Sequence, residues 1–266
     1  MKVNFSGCYR EFKILMPLVC ILAGKTKKPI TKMEQGLAQI LQKYSADFDQ
    51  VVSFDSKRDK LSLLDFTINN EELSEDIIND TQKFTEYLNR KLTSTHSKFG
   101  IGGYNEHREL YRRSKVFDSN PGEEPRRVHL GIDIWGKPYT AIMSPWDAII
   151  HSFAFNNNFG DYGATLILTH NLEDFSFYTL YGHLSLNSIK NFREGGNVKK
   201  GDVIGEFGIP MENGQWPPHL HFQIIINIGE WRGDYPGVCK FSEKEKYLEN
   251  CPDPDLILRM MKFIGH

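Results

Sequence analysis

The chain has 266 residues, 40% of them hydrophobic and 25% charged, enough for one large globular domain or for a domain with a smaller attached segment. Its 32 basic and 34 acidic residues leave a formal net charge of -2. That balance, without any polybasic run, gives no electrostatic case for nucleic acid or an anionic membrane as a partner.

In chain order, residues 1–30 read as an N-terminal extension whose apolar run, 14–24, is flanked by Arg10, Lys13 and Lys25. The run resembles the core of a secretory signal but is too short to cross a bilayer as a helix, so no integral membrane segment is expected. Ile21 or Leu22 falls where a cleavable signal wants a small residue, and no cysteine stands at a lipoprotein position. Export and cytoplasmic residence are nearly balanced on these features, with a slight lean to the cytoplasm.

Residues 31–113 read as a helical N-terminal region. Met33, Leu37, Ile40, Leu41 and Tyr44 recur at helical spacing behind Thr31, a candidate N-cap. Ile77, Thr81, Phe84, Leu88 and Leu92 mark a second apolar stripe, and 61–68 suits a strand. These stripes are expected to pack against protein. Near the end, the stretch 101–109, IGGYNEHRE, reads as a packed turn with a solvated charged face. Its functional reading is that Tyr104, Glu106 or Arg108 borders or blocks a groove. Residues 114–126, with Asp118, Ser119, Asn120, Pro121 and Gly122, read as a linker.

Beyond it, 140–143, 148–153, 164–169, 175–181, 203–207 and 220–228 are short β-branched and aromatic runs separated by turn residues, with 187–192 as a short helix or turn. Strands without intervening helices predict a mainly β domain with an antiparallel sheet over 127–228. The helical N-terminal segment makes the chain α+β overall, and 229–266 is a C-terminal extension. The four cysteines, Cys8, Cys20, Cys239 and Cys251, form no CxxC pair, which argues against a cysteine zinc site. Cys239 and Cys251 could meet as a disulfide closing a short loop, although so few cysteines make no disulfide framework.

The chemistry sits in three histidine motifs: HLGID with His129 and Asp133, YGHLS with His183, and HLH with His219 and His221. Residues two apart on a strand share a face, so His219 and His221 project into one site, where one can bind a metal while its neighbour meets substrate. His129 and Asp133 are four apart, and Gly131 between them lets the backbone bend. Imidazole and carboxylate are both zinc ligands, and three of them leave a fourth tetrahedral position open. His96, His107, His151 and His266 are expected to be bystanders, and His170 a strand-end residue.

HLGID, YGHLS, VKKGDVIGEFG and PPHLHF occur in the order seen in the M23 metallopeptidases, the lysostaphin-like or LytM-like peptidoglycan endopeptidases, and the chain resembles that family over roughly 127–226. NFGDYGAT at 158–165 is also similar to the family's glycine-containing turn. The resemblance implies a lysostaphin-like metallopeptidase fold and a Zn2+ cofactor held by His129, Asp133 and His221. His183 and His219 are similar to the family's catalytic pair, beside the zinc without ligating it. The implied reaction is hydrolysis of a peptide bond by a zinc-activated water, the implied substrate a peptide of peptidoglycan. Three features depart from the family: Gln215-Trp216-Pro217-Pro218 before HLH, where a small glycine-bearing stretch is common; Gln223, where an acid is often found; and the C-terminal extension.

Other readings are weaker. A cupin also places HxH on a strand but wants a glutamate shortly after, and 222–229 contains no acid. A lipoyl- or biotinyl-carrier module would need an exposed hairpin lysine that is not evident near 198–205. An M23-like zinc protein with a binding or regulatory role, or a peptidase for a peptide outside the cell wall, are the remaining alternatives.

Overall fold

A computed structural model describes residues 32–118, 120 and 122–265. The apolar run 14–24, Cys8, Cys20, Thr31, Ser119, Pro121 and His266 lie outside the described residues.

Helix α1 (Lys32–Lys43) buries Leu37 and Leu41 in the main core, as its stripe predicts. After strand β1 (Leu61–Leu63), the second stripe is divided into α2 (Glu75–Asn79) and α3 (Thr81–Ser94). The break has a local cause. Asp80 is extended, and its carboxylate accepts from the backbone N–H groups of Gln82 and Lys83, so one aspartate ends the first helix and caps the second. α3 buries Phe84, Tyr87 and Leu88.

The helical region also contributes strands. β1 pairs in parallel with β2 (Phe99–Gly102), and β2 pairs antiparallel with β4 (Ile132–Trp135), which follows β3 (Arg126–His129) after a break at Leu130 and Gly131. Then come β5 (Ala141–Met143), β6 (Ala148–Asn156), β7 (Gly163–Leu172), β8 (Phe175–Leu184), the single turn α4 (Leu186–Ile189), β9 (Asn197–Val198), β10 (Val203–Glu206) and β11 (His219–Ile225). β12 (Val238–Lys240), α5 (Lys244–Asn250) and α6 (Asp255–Leu258) complete the fold. The principal sheet has eight strands in the order β1-β2-β4-β11-β8-β7-β6-β9, antiparallel except at β1–β2, flanked by the pairs β10–β5 and β12–β3. The chain is therefore mainly β with a few helices, as expected.

β11 lies at the centre of that sheet and is buried throughout. Its alternation explains both faces. Leu220, Phe222 and Ile224 enter the main core with Ile132 and Ile134 of β4, leaving His219, His221 and Gln223 on the opposite face. α1 and α6 cover the same core through Leu37, Leu41, Ile257 and Leu258. The segment read as a linker carries a 3-10 turn, Lys115–Phe117, whose Phe117 is buried. Cys239 and Cys251 are both buried free thiols, so the loop-closing disulfide is not formed. Burial pushes each thiol up to about 12. Among the described residues no helix is long and apolar enough to cross a membrane.

Candidate metal centre

Three neighbouring strands deliver most of the site. Register places Asp133 of β4 opposite His221 of β11, and Trp135 opposite His219. His183 comes from β8, on the other flank of β11. His129 comes from β3, so the two ends of HLGID belong to different strands of different sheets. Gly131 is needed at the corner for room: a Cβ there would stand 2.5 Å from His221 Cε1.

Among the described residues, His129, Asp133 and His221 form a group of ligand-type side chains whose donor atoms lie within 4.8 Å of one another, all buried. His129 Nε2 is 2.9 Å from His221 Nδ1, and Asp133 Oδ1 is 3.3 Å and 3.1 Å from them respectively. The outer hydrogen bonds fix the tautomers. His129 Nδ1 is 3.0 Å from the carbonyl of Gly103, so it must donate. His221 Nε2 is 2.9 Å from Gln223 Oε1, while Gln223 Nε2 donates to Pro236 O and Cys251 Sγ, so this ring nitrogen also donates. The two inward nitrogens therefore carry lone pairs, aimed with a carboxylate oxygen at one place. Three electron pairs so close repel unless a cation lies between them, and two imidazoles with a carboxylate suit zinc.

The electrostatics agree. Burial, then the charge of Arg108, push His129 down to about 3, keeping the ring neutral. Burial alone would raise the Asp133 carboxyl, but His129, Arg108 and its hydrogen bonds hold it well below the usual range. Tyr162 adds a buried phenol with its hydroxyl 3.4 Å from His221 Nε2.

His183 and His219 lie alongside. His183, with a left-handed φ of 65°, donates from Nδ1 to Asn213 O at 2.8 Å, and His219 from Nδ1 to Pro217 O at 2.7 Å. Each Nε2 is left unprotonated. The His219 ring stacks on Trp135 with centroids 3.7 Å apart and on His183 at 4.1 Å, so both of its faces are held. Burial pushes His183 down to about 4 and His219 well below the ordinary range. Asp133, His183, His219 and His221 line a cleft whose walls include Tyr111 and Trp216.

The other histidines have other partners. His170 lies within β7, bonded to Asp147 O and Thr179 Oγ1, so it is a core residue rather than a strand end. His151 bonds Ser152, His107 approaches Glu109, and His96 follows α3 in a left-handed conformation.

The stretch 101–109 departs most from its expectation. Arg108 is 1% exposed, not solvated, and its Nη1 donates to Asp133 Oδ2. The segment runs against HLGID, with backbone bonds from Arg108 N to Arg127 O, His129 N to Glu106 O and Asn105 N to His129 O. Tyr104 turns away and donates to Cys251 O. Gln223 was visible only as a departure from the family pattern, yet its period-two spacing from His221 is the signal that places it on the site face. Gly103, whose carbonyl orients His129, carries no sequence signal of its own.

Similar solved structures include a zinc-containing peptidase from Vibrio cholerae (24% identity, covering 41% of this chain and 30% of that one, TM-score 0.31). The catalytic domain of the antimicrobial peptidase lysostaphin from Staphylococcus simulans is similar at 22% identity, covering 61% of this chain and 97% of that one, TM-score 0.35. Helicobacter pylori Csd3 is similar at 28% identity, covering 47% of this chain and 32% of that one, TM-score 0.30. The match thus spans less than a third of the length of the Vibrio cholerae peptidase and of Csd3. No curated protein matches the chain. Residues 127–231 match peptidase family M23, and the match takes in His129, Asp133, His183, His219 and His221. Over that segment, which is less than half of its length, the chain is similar to peptidase family M23.

Proposed function

We propose that the protein is a zinc metalloendopeptidase acting on peptide bonds, with the peptide bridges of peptidoglycan as substrate. The observation that carries the reading is the convergence of three unprotonated donors, His129 Nε2, Asp133 Oδ1 and His221 Nδ1, with two further imidazoles, His183 and His219, that line a cleft together with Asp133 and His221. Those three residues would hold the ion. When bound, zinc supplies an acidified water and polarises the scissile carbonyl.

The remaining work falls to the chain. The unprotonated Nε2 of His183 or His219 accepts the proton of the attacking water and returns it to the leaving amine. Once it has taken that proton, the Nε2–H can donate a hydrogen bond to the developing oxyanion. Backbone carbonyls at Asn213 and Pro217 fix both rings in the tautomer this requires. Trp135 keeps the His219 ring from turning.

Trp216, 3% exposed, supports a second reading, a peptidase for a peptide outside the cell wall. It walls the cleft where the family commonly has a small, glycine-bearing stretch. A wall substrate also requires export, against the slight cytoplasmic lean of the N-terminal run; fractionation of cells expressing the full chain separates the two locations. The direct test is release of soluble peptide from purified peptidoglycan sacculi. Release by the wild type, abolished by a chelator and by His183→Ala, is the expected result. Cleavage of unrelated peptides without release from sacculi would transfer the activity to the second reading.

A further inference from the structure

We infer that Arg108 is a positioning residue that restricts Asp133 to a single metal-binding oxygen and so keeps a coordination position open. The inference rests on the zinc reading above.

The two carboxylate oxygens of Asp133 have separate partners. Oδ1 faces the inward nitrogens of His129 and His221, at 3.3 Å and 3.1 Å. Oδ2 accepts from Arg108 Nη1, and both side chains are buried. For Oδ2 to turn toward an ion at the convergence point, it would have to leave a charge-assisted hydrogen bond between two buried side chains, where an unpaired charge is costly.

Arg108 is itself held from several directions. Its Nε donates to Glu106 Oε2 at 2.6 Å, its Nη2 to Gly102 O at 3.1 Å, and its Nη1 also reaches the Tyr111 hydroxyl at 3.3 Å. The guanidinium lies over the Phe66 ring, 5.1 Å from its centroid. The turn beneath it is built for this group. Gly103 has φ +106°, and a Cβ there would stand 1.7 Å from Arg108 Nη2. The charges also close. One buried guanidinium sits between two carboxylates, leaving one net negative charge toward the ion, with the two imidazoles neutral.

The functional consequence follows from ligand count. Two imidazoles and one carboxylate oxygen leave a tetrahedral ion one position for water or a carbonyl, whereas a bidentate Asp133 would fill or crowd it. Arg108 and the Gly103 carbonyl both precede the segment 127–231 that matches the family, so the upstream arm fixes two of the three ligands from outside it.

The test is the visible spectrum of the cobalt(II)-substituted protein, in which four-coordinate cobalt absorbs several-fold more strongly than five- or six-coordinate cobalt. The wild type is expected to show the strong four-coordinate bands. Arg108→Met should lose them several-fold while still binding one cobalt, and Arg108→Lys, which returns a cation near Oδ2, should restore part of the intensity. Circular dichroism establishes that each variant is folded. If neither variant folds, a crystal structure of the zinc-loaded wild type decides. Only Oδ1 at the usual zinc–oxygen distance of about 2.0–2.2 Å supports the inference, and both oxygens at that distance overturn it. Identical cobalt spectra for folded wild type and Arg108→Met would overturn the inference while leaving the zinc reading intact. Failure of the wild type to bind any metal would overturn both.

Discussion

Asp133 and His221 face each other across β4 and β11, and each supplies one of three donors to the same point. Asp133→Ala or His221→Ala should therefore remove zinc and activity together, read as metal content beside turnover. His183→Ala should abolish turnover while zinc remains, because its Nε2 is not among the convergent atoms; equal zinc loss in all three variants would make His183 a ligand. Gln223 acts one bond further out, by setting the tautomer of His221. Gln223→Leu should weaken zinc affinity by about 10–100-fold in a chelator competition, with the protein still folded. His219 and His221 could be placed on one face from their period-two spacing, whereas His129, Asp133 and His183 stood out through the resemblance of their motifs to the M23 metallopeptidases, because HLGID runs across two strands of different sheets. Arg108 was not legible. A charged residue in a glycine-rich stretch reads as solvated until its partners, the half-buried Glu106 and the buried Asp133, are known, and the second of these is 25 residues away.

At the scale of elements, the helical region and the site are joined by aromatic packing. Phe84 of α3 meets Phe66 and Trp135, with ring centroids 5.8 Å and 5.7 Å apart, and Trp135 stacks on His219. The apolar stripe of α3 thus buttresses one of the two proposed catalytic histidines. Phe84→Ala should destabilise the fold by about 3–5 kcal/mol in chemical denaturation. It should also lower turnover in the protein that remains folded; unchanged turnover would show that the Trp135 stack holds without this support. The strands over 148–184 were legible from their β-branched and aromatic runs, whereas β2 and β4 were not. Both have only four residues, and β2 is half glycine, so their extended form comes from pairing with each other and with β11 rather than from propensity. The division of one predicted helix into α2 and α3 depended on Asp80 choosing backbone capping over helix continuation.

For the whole molecule, buried neutral histidines tie stability to pH. His170 is fully buried and pushed down to about 4, away from the metal centre. As pH falls below about 6.5 the unfolded chain gains a proton there that the folded chain resists until about 4, so stability is present above 6.5 and lost across that window. The loss attributable to His170 is on the order of 3 kcal/mol. His129 and His183, pushed down to about 3 and about 4, act in the same direction in the metal-free protein. Denaturation midpoints between pH 7 and 4 should therefore fall, and His170→Gln should reduce proton uptake on unfolding near pH 5 by about one; an unchanged slope would show that His170 is protonated in the fold. Zinc should stabilise the same protein by mass action, raising its Tm, because the unfolded chain does not bring the three donors together. All of these expectations meet in one measurement, the zinc content of purified wild-type protein and of His221→Ala by elemental analysis after zinc is supplied. About one zinc per chain in the wild type, lost in His221→Ala, is the predicted result. Wild-type protein that stays metal-free would contradict the metal centre itself.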